Sequence, residues 1–423
     1  MCAKDVEGKA MTNAQERIQD EQRKIVRKML LKSIVCALLL CGLPVVAEAV
    51  KIPIVGATSD AAPQIPPTGL CTGGRTLTLT DGGTVTTAVS ATSIAVFKAA
   101  PLESAFGGVG YALATETATN NTRLVTYNLD AVPATVTGNV LVNTAGVPDI
   151  ANSLRANIYD PTRVGAGGFL EWGVQQTAPC ISGLVNCLHI RGYTNTSTSI
   201  DLVYTGIVGI NGTNIAYEVP DSSSYWLAYQ TAAGSTIRKF DSALNAGSAI
   251  AFTPNPYADM TSDSTYVYAM VNIGGVQNIR RIRISDLAIT DFPLVGATGL
   301  TAITHVNGNL YIGVAQAGTG NIKRVATSTM TVTGTIVLGP SEGIISGGMS
   351  YDTVNNRLYA VAIDGASAVY RRVNLSTFLS EQSLVNAVGF PEANGTGFDF
   401  PHQHIWQVTR GTNLLLSKVN LCS

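Results

Sequence analysis

"SYDTVNNRLYAVAIDGASAVYRRVNLSTF", residues 350–378 of a 423-residue chain, reads as two short apolar strands around a turn. An aromatic residue sits inside the first strand, and two basic residues sit in the second. The same pattern appears as "YWLAYQTAAGSTIRKF", "YVYAMVNIGGVQNIRRI" and "LYIGVAQAGTGNIKRV". Counted from Trp226, Tyr268, Tyr311 and Tyr359, the first basic residue comes twelve positions later each time, at Arg238, Arg280, Lys323 and Arg371. One offset kept four times marks a structural repeat.

Three weaker copies extend the series. Tyr111 is followed after twelve positions by Arg123, and Trp406 after twelve by Lys418, across a turn one residue shorter. Trp172 reaches Arg191 only after nineteen, and the seven extra residues fall across "CISGLVNC". The seven aromatic anchors are spaced 61, 54, 42, 43, 48 and 47 apart. A period near 45 with several short strands per unit predicts an all-β fold, a single seven-bladed β-propeller. Within a unit the expected order is an inner strand such as "TAITHV", the anchor strand, the basic strand and an outer strand such as "TGTIVL". Composition agrees, since charged residues are 13 % and Gly numbers 42, which suits many short strands joined by tight turns.

The last copy stops at Cys422 after its third strand, so its fourth must come from elsewhere. The N-terminal stretch "RTLTLTDGGTVTTAV" alternates Thr with apolar residues around a Gly turn and is the expected donor. Cys71 then lies near Cys422. A bridge there would close a loop of about 350 residues, contributing on the order of 5 kcal/mol in the chain-entropy view.

Residues 28–49, "KMLLKSIVCALLLCGLPVVAEA", place basic residues before an apolar run and end on Ala47-Glu48-Ala49, the order of a secretory signal peptide cleaved near Ala49. Residues 1–28 are polar and charged ahead of it, and Met29 is the favoured start. Acylation of Cys41 is an alternative that Leu40 disfavours, because such a site wants a small residue before the cysteine. Residues 50–74 read as an extended arm and 75–423 as the propeller. Removing residues 1–49 leaves 19 Lys/Arg against 22 Asp/Glu, a net charge of −3 that points to no nucleic acid and no anionic membrane as partner. The remaining cysteines are Cys71, Cys180, Cys187 and Cys422, an even set that reads as two disulfides in an exported protein. Three pairings are open, and the repeat favours Cys180–Cys187 and Cys71–Cys422.

The stretch "YDTVNNRLYAVAIDGASAVYRRVNLST" resembles a repeat of the YVTN/NHL group of exported β-propellers, whose units carry an Asp, an Asn-Arg-hydrophobic-Tyr strand and a following strand that enters a polar turn. The resemblance covers one unit well and the other six diffusely, without the literal Tyr-Val-Thr-Asn. It implies the fold. It carries over no catalytic residue, because that group holds lactonase-type enzymes and plain binding proteins alike.

Candidate sites follow from where loops fall in such a ring. Loops from each outer strand to the next inner strand share a face with the anchor-to-basic turns, and Asp149, Asp259, Glu342 and Glu392 are placed there, one per loop. Acids from separate blades could converge on Ca²⁺, which takes six to eight oxygens; the alternative is solvated loop charge. The stapled turn presents Ile181, Leu184 and Val185 on the same face, either as a preorganised apolar contact or folded over its own blade. In "DFPHQH", Asp399, His402 and His404 have ligand types for Zn²⁺, with both imidazoles on one strand face; the alternative is a turn and an edge strand. No cofactor is expected otherwise. The repeated basic residues and aromatic anchors read as scaffold, since adjacent strand residues point to opposite faces and equivalent positions around a ring do not converge. The sequence has no Gly-x-x-x-x-Gly-Lys phosphate loop.

These readings predict an exported, non-enzymatic interaction module for an extracytoplasmic protein or glycan. The alternatives are a metal-assisted hydrolase of the lactonase kind and a structural surface or matrix protein.

Overall fold

The computed structural model describes Cys71 and residues 77–86, 91–99, 109–116, 122–143, 156–159, 169–175, 187–193, 198–204, 210–218, 224–231, 234–252, 259–316, 318–352, 355–365, 367–386, 390–400, 403–410 and 414–422. Every regular element among them is a β-strand. The first, β1 (Leu77–Thr86), stands apart from six consecutive groups of four. Sheet 1 is β2 (Ala91–Ala99), β3 (Val109–Glu116), β4 (Thr122–Asn128) and β5 (Thr135–Asn143). Sheet 2 is β6 (Ala156–Tyr159), β7 (Phe169–Gln175), β8 (Cys187–Tyr193) and β9 (Thr198–Tyr204). Sheet 3 is β10 (Ile210–Glu218), β11 (Ser224–Thr231), β12 (Gly234–Asp241) and β13 (Ala246–Phe252). Sheet 4 is β14 (Met260–Ser262), β15 (Tyr266–Ile273), β16 (Val276–Arg283) and β17 (Ile289–Pro293). Sheet 5 is β18 (Gly299–Val306), β19 (Asn309–Gln316), β20 (Thr319–Ala326) and β21 (Thr331–Pro340). Sheet 6 is β22 (Gly343–Asp352), β23 (Arg357–Asp364), β24 (Ser367–Asn374) and β25 (Leu379–Asn386). Sheet 7 joins β26 (Phe390–Asp399), β27 (His404–Arg410) and β28 (Leu415–Cys422) to β1, in the order β1-β28-β27-β26.

Burial explains why the sequence reads as it does. The second strands β15, β19 and β23 each hold five consecutive buried residues, because both faces are covered by neighbouring sheets. A strand buried on two sides loses the apolar–polar alternation and becomes a continuous apolar run. The fourth strands β17 and β25 are mostly exposed and carry Thr, Ser, Asp and Glu, as outer edges do.

The core lies in the seams between sheets. Trp226 and Ile237 of sheet 3 pack with Met260 and Val267 of sheet 4. Tyr268 and Ile279 of sheet 4 pack with Ile312 and Val325 of sheet 5, and Tyr311 and Ile322 of sheet 5 with Met349 and Leu358 of sheet 6. Tyr359 and Tyr370 of sheet 6 meet Phe398, Ile405 and Val419 of sheet 7. Trp406 and Leu416 of sheet 7 in turn meet Val125 and Tyr127 of sheet 1. First strands are neighbours in the same succession, with β2 beside both β6 and β26.

The turn from third to fourth strand repeats an unusual feature. Leu244, Leu287, Met330 and Phe378 all have positive φ, between 52° and 63°. A bulky residue rarely takes that conformation. Here the strain is offset by insertion into a seam: Phe378 is buried, 5.7 Å from the Tyr311 ring, and under the Arg324 guanidinium at 4.9 Å. Gly334 has to be glycine for this reason, since a Cβ there would stand 2.6 Å from Phe378 Cδ1.

β1 fills the place expected of the N-terminal stretch, pairing antiparallel with β28 from Leu77↔Cys422 to Thr86↔Leu415. It does so as one strand. Asp81-Gly82-Gly83 forms a bulge, with Gly83 N donating to Asp81 Oδ1 at 2.9 Å, where the sequence suggested a turn. Cys71 and Cys422 form the expected disulfide, with Cα atoms 5.3 Å apart.

Candidate functional site

Each inter-sheet loop enters its sheet at the end where the second strand turns into the third, so loops and turns share one end. Asp259, just before β14, and Glu342, between β21 and β22, lie at that end as expected, but neither projects into solvent. Asp259 is fully buried; its Oδ1 accepts from Met260 N at 2.9 Å and its Oδ2 from Ile303 N, in the first strand of the next sheet, at 3.1 Å. A carboxylate holding two backbone N–H groups is a joint between sheets 4 and 5. Two residues on, Thr261 Oγ1 accepts from His305 N at 3.1 Å and repeats the joint without charge.

Glu342 is 8 % exposed and receives both Arg371 Nε (2.7 Å) and Nη2 (2.6 Å). This two-pronged pair pins the loop to β24, in the geometry that makes Arg–carboxylate contacts specific. Glu392 does not lie in a loop. It falls inside β26, where a shift of register between Pro391 and Thr396 absorbs extra residues. Asp149, Ile181, Leu184, Val185 and Cys180 lie outside the described residues. Cys187 opens β8, is buried, and is disulfide-bonded.

Within "DFPHQH" Gln403 N donates to Phe400 O at 2.9 Å, as in a turn, but the strand that follows is not an edge: β27 lies between β26 and β28. β27 starts at His404, and His402 lies outside the described residues. Asp399 is 2 % exposed and stands opposite His404 across the β26–β27 pair. The His404 ring meets Trp406 edge-on at 5.9 Å. Burial lowers the Lys418 ammonium below its usual range, and the charges of Asp399 and Asp130 act against that shift. Among the described residues no three His, Cys, Asp or Glu side chains are grouped to hold a metal ion.

One motif escaped the sequence reading. Gly339-Pro340-Ser341-Glu342-Gly343 has the Gly-x-Ser-x-Gly spacing of a nucleophile elbow, and Ser341 has a φ of 70°. The context is wrong for that chemistry. An elbow joins a strand to a helix and sets the Ser beside a base; this loop joins two strands, Glu342 beside it is held by Arg371, and no hydrogen bond engages the Ser341 hydroxyl among the described residues.

The aromatic anchors and most of the repeated cations are scaffold. At the offset of twelve, Arg238 Nη1 donates to Gly247 O at 2.9 Å, Arg280 pairs twice with Asp291 at 2.8 Å, and Arg371 takes Glu342. The next residue points the other way, into the following sheet: Lys239 Nζ reaches Ile284 O at 3.0 Å, Arg281 Nη1 reaches Thr327 O at 3.5 Å, and Arg372 Nη1 reaches Leu77 O at 2.6 Å. These second cations stand opposite the anchors in register, as in Trp226↔Lys239, Tyr268↔Arg281 and Tyr359↔Arg372. Burial, then the hydrogen bond to Asp263, raises the Tyr268 hydroxyl far above its usual range, so it remains a neutral donor.

No family model matches the sequence, and no curated protein matches it. Solved structures do. A chain of hydrazine synthase from Kuenenia stuttgartiensis is similar at TM-score 0.55 and 11 % identity, over 79 % of this chain and 97 % of that one. A chain of the mitotic checkpoint complex is similar at TM-score 0.55 and 7 % identity, over 84 % and 96 %. The WD40 domain of Neurospora crassa Pan2 is similar at TM-score 0.50 and 10 % identity, over 80 % and 95 %. WD40 repeats build propellers. The fold is propeller-like. At these identities the likeness is of architecture, and the propeller-like scaffold is what sets the loop-bearing end apart from the rest of the molecule.

Proposed function

We propose that the chain is an exported, seven-bladed β-propeller, closed by β1 and by Cys71–Cys422, that binds an extracytoplasmic protein or glycan through its inter-sheet loops without catalysing a reaction. The observation that carries this reading is the engagement of Asp259 and Glu342. Both inter-sheet loop acids singled out from the sequence that the structure finds in such loops are committed to the scaffold, Asp259 to backbone N–H groups and Glu342 to Arg371. A metal-assisted hydrolase would need them free.

Export is supported by the leader-like residues 28–49 and by a disulfide, which persists in oxidising compartments. In this reading the leader is removed near Ala49, Cys180 is the partner of Cys187, and Ile181, Leu184 and Val185 of that turn join the binding end. The repeat at residues 350–378 resembles the YVTN/NHL group, which includes binding proteins of this kind. One of the similar structures is a chain of the mitotic checkpoint complex.

Site-specific photo-crosslinking tests the reading. A crosslinking residue at Val295, on the loop-bearing end, is compared with one at Ile289, at the far end of β17, with the full chain expressed in its host. The expected result is a discrete extracytoplasmic adduct from position 295 and none from position 289. No adduct from position 295, or turnover of a lactone panel by the purified chain with Ca²⁺ or Zn²⁺, would overturn it.

A further inference from the structure

Of the four clear cations at offset twelve, one has no hydrogen-bond or ion-pair partner among the described residues. Arg238, Arg280 and Arg371 are each answered from within the chain, as described. Lys323, opposite Ile312 on one side and Thr335 on the other, is 9 % exposed and makes no hydrogen bond or ion pair among the described residues. Its stem is covered, while its ammonium is not among the sealed polar atoms and keeps contact with solvent. Paired residues share a face, and Ile312 faces sheet 4, so Lys323 points into the seam between sheets 4 and 5.

Register shows what is missing. Pro293 stands opposite Asn278 as Val337 stands opposite Asn321, and each is followed six positions later by the first residue of the next sheet, Gly299 and Gly343. Leu294 and Leu338 are both buried at the next position, and counting on from them sets Thr298 at the place of Glu342. Arg371 finds Glu342, while the equivalent position for Lys323 holds Thr298, which has no charge and whose hydroxyl donates to Ala315 O at 3.0 Å. The sheet 4 side of this seam carries exposed apolar residues, Val295 at 86 % and Val276 at 48 %, and Gln277 next to Val276 donates to Thr298 O at 3.4 Å. Leu294 N donates to Gln277 O at 2.8 Å and holds the two segments together.

We propose that Lys323, together with Val276 and Val295 of the sheet 4 side of its seam, forms a docking point for a protein partner that supplies an acidic side chain with an apolar residue next to it. The partner's carboxylate takes the position that Glu342 holds in the next seam. The proposal rests on the interaction-module reading and adds to it the seam used and the partner's chemistry. A carboxylate fits because a half-sealed ammonium gains most from an anion, and the valines add area that water leaves on contact.

The test uses acetyl-Leu-Glu-Leu-amide and its Gln counterpart as probes, followed by NMR of the full chain with its lysines ¹³C-dimethylated. The Lys323 signal, assigned by its loss in Lys323→Met, is expected to shift saturably with the Glu peptide. The Gln peptide, or 0.5 M salt, is expected to bind at least about tenfold more weakly. Equal response to both peptides, or none, overturns the proposal. A second measurement needs no ligand. Thr298→Glu should raise Tm when Lys323 is present, lose that gain in the Lys323→Met background, and abolish the peptide response. A Tm change independent of Lys323 overturns the assignment. A partner crosslinked at Val295 but indifferent to Lys323→Met would overturn this inference and leave the interaction module standing. Coupling between Thr298→Glu and Lys323 with no crosslinked partner would count against the module alone.

Discussion

The seam between sheets 5 and 6 and the seam between sheets 6 and 7 solve one problem in two ways. At the first, the chain passes directly from β21 to β22 through two residues, and the loop itself carries Glu342 to Arg371. At the second, the outermost strand of sheet 7 comes from the other end of the chain, and no short loop holds it. Sheet 6 therefore reaches across to it. Gln382 of β25 accepts from Leu79 N at 2.9 Å and donates to Leu79 O and Thr78 Oγ1, each at 3.1 Å, while Arg372 takes Leu77 O. A strand that arrives late in sequence distance needs ties to its backbone. A loop that arrives by continuity can be fixed by one charged pair.

The largest effect should follow from removing the covalent tie. Cys71→Ser with Cys422→Ser is expected to cost on the order of 5 kcal/mol. Hydrogen exchange should rise first in β1 and β28 and leave sheet 5 unchanged; uniform loss of protection would mean that the composite sheet is no weaker than the rest. Next, Arg371→Met leaves Glu342 buried without its partner and should cost about 3–5 kcal/mol, with exchange rising at the loop before β22 and not at β1. Gln382→Ala comes third. It strands Leu79 N and O beneath sheet 6 and should cost about 1–3 kcal/mol, read as faster exchange at Leu79 with Tm nearly additive to Arg371→Met.

The smallest effect is a pH dependence. Burial pushes the Glu381 carboxyl upward, but hydrogen bonds from Asn374 and Arg357 and the charges of Arg357 and Arg372 outweigh it and hold the group below its usual value of 4.5. The sign is that of a depressed acid: the stabilisation is complete above about pH 4.5 and is lost as pH falls through the lower folded value. Glu381 is 25 % exposed, so about 1 kcal/mol or less is at stake. Chemical denaturation from pH 6 to pH 3 should fall less steeply in Glu381→Gln than in wild type; identical slopes would remove Glu381 from the account.

Much of this architecture was legible in the spacing of Tyr268, Tyr311 and Tyr359 and of the cations twelve residues on, because a repeat forces equivalent side chains into equivalent seams. The borrowed strand and its disulfide followed from a last unit that ended one strand short. The joints did not show. Asp259 reads as a loop acid until the register of β18 brings Ile303 N to it, and Gln382 looks like any polar residue of an outer strand. Phe378, Met330 and Leu287 look like ordinary apolar turn residues, since sequence does not reveal left-handed backbone at a residue other than glycine. Glu392 was misplaced because the irregular pairing in β26 draws it into the strand. Lys323 stood out as a repeat member from the start, but its isolation appeared only once the partners of its three counterparts were known.

The pairing of Leu77 with Cys422 also sets an order in time. β28 begins 338 residues after Leu77. At a synthesis rate of about 5–20 residues per second, the first strand waits roughly 20–70 s for its partner to exist. Throughout that interval an extended segment and the Cys71 thiol are available to any other edge or disulfide within reach. Synthesis of β28 ends this exposure.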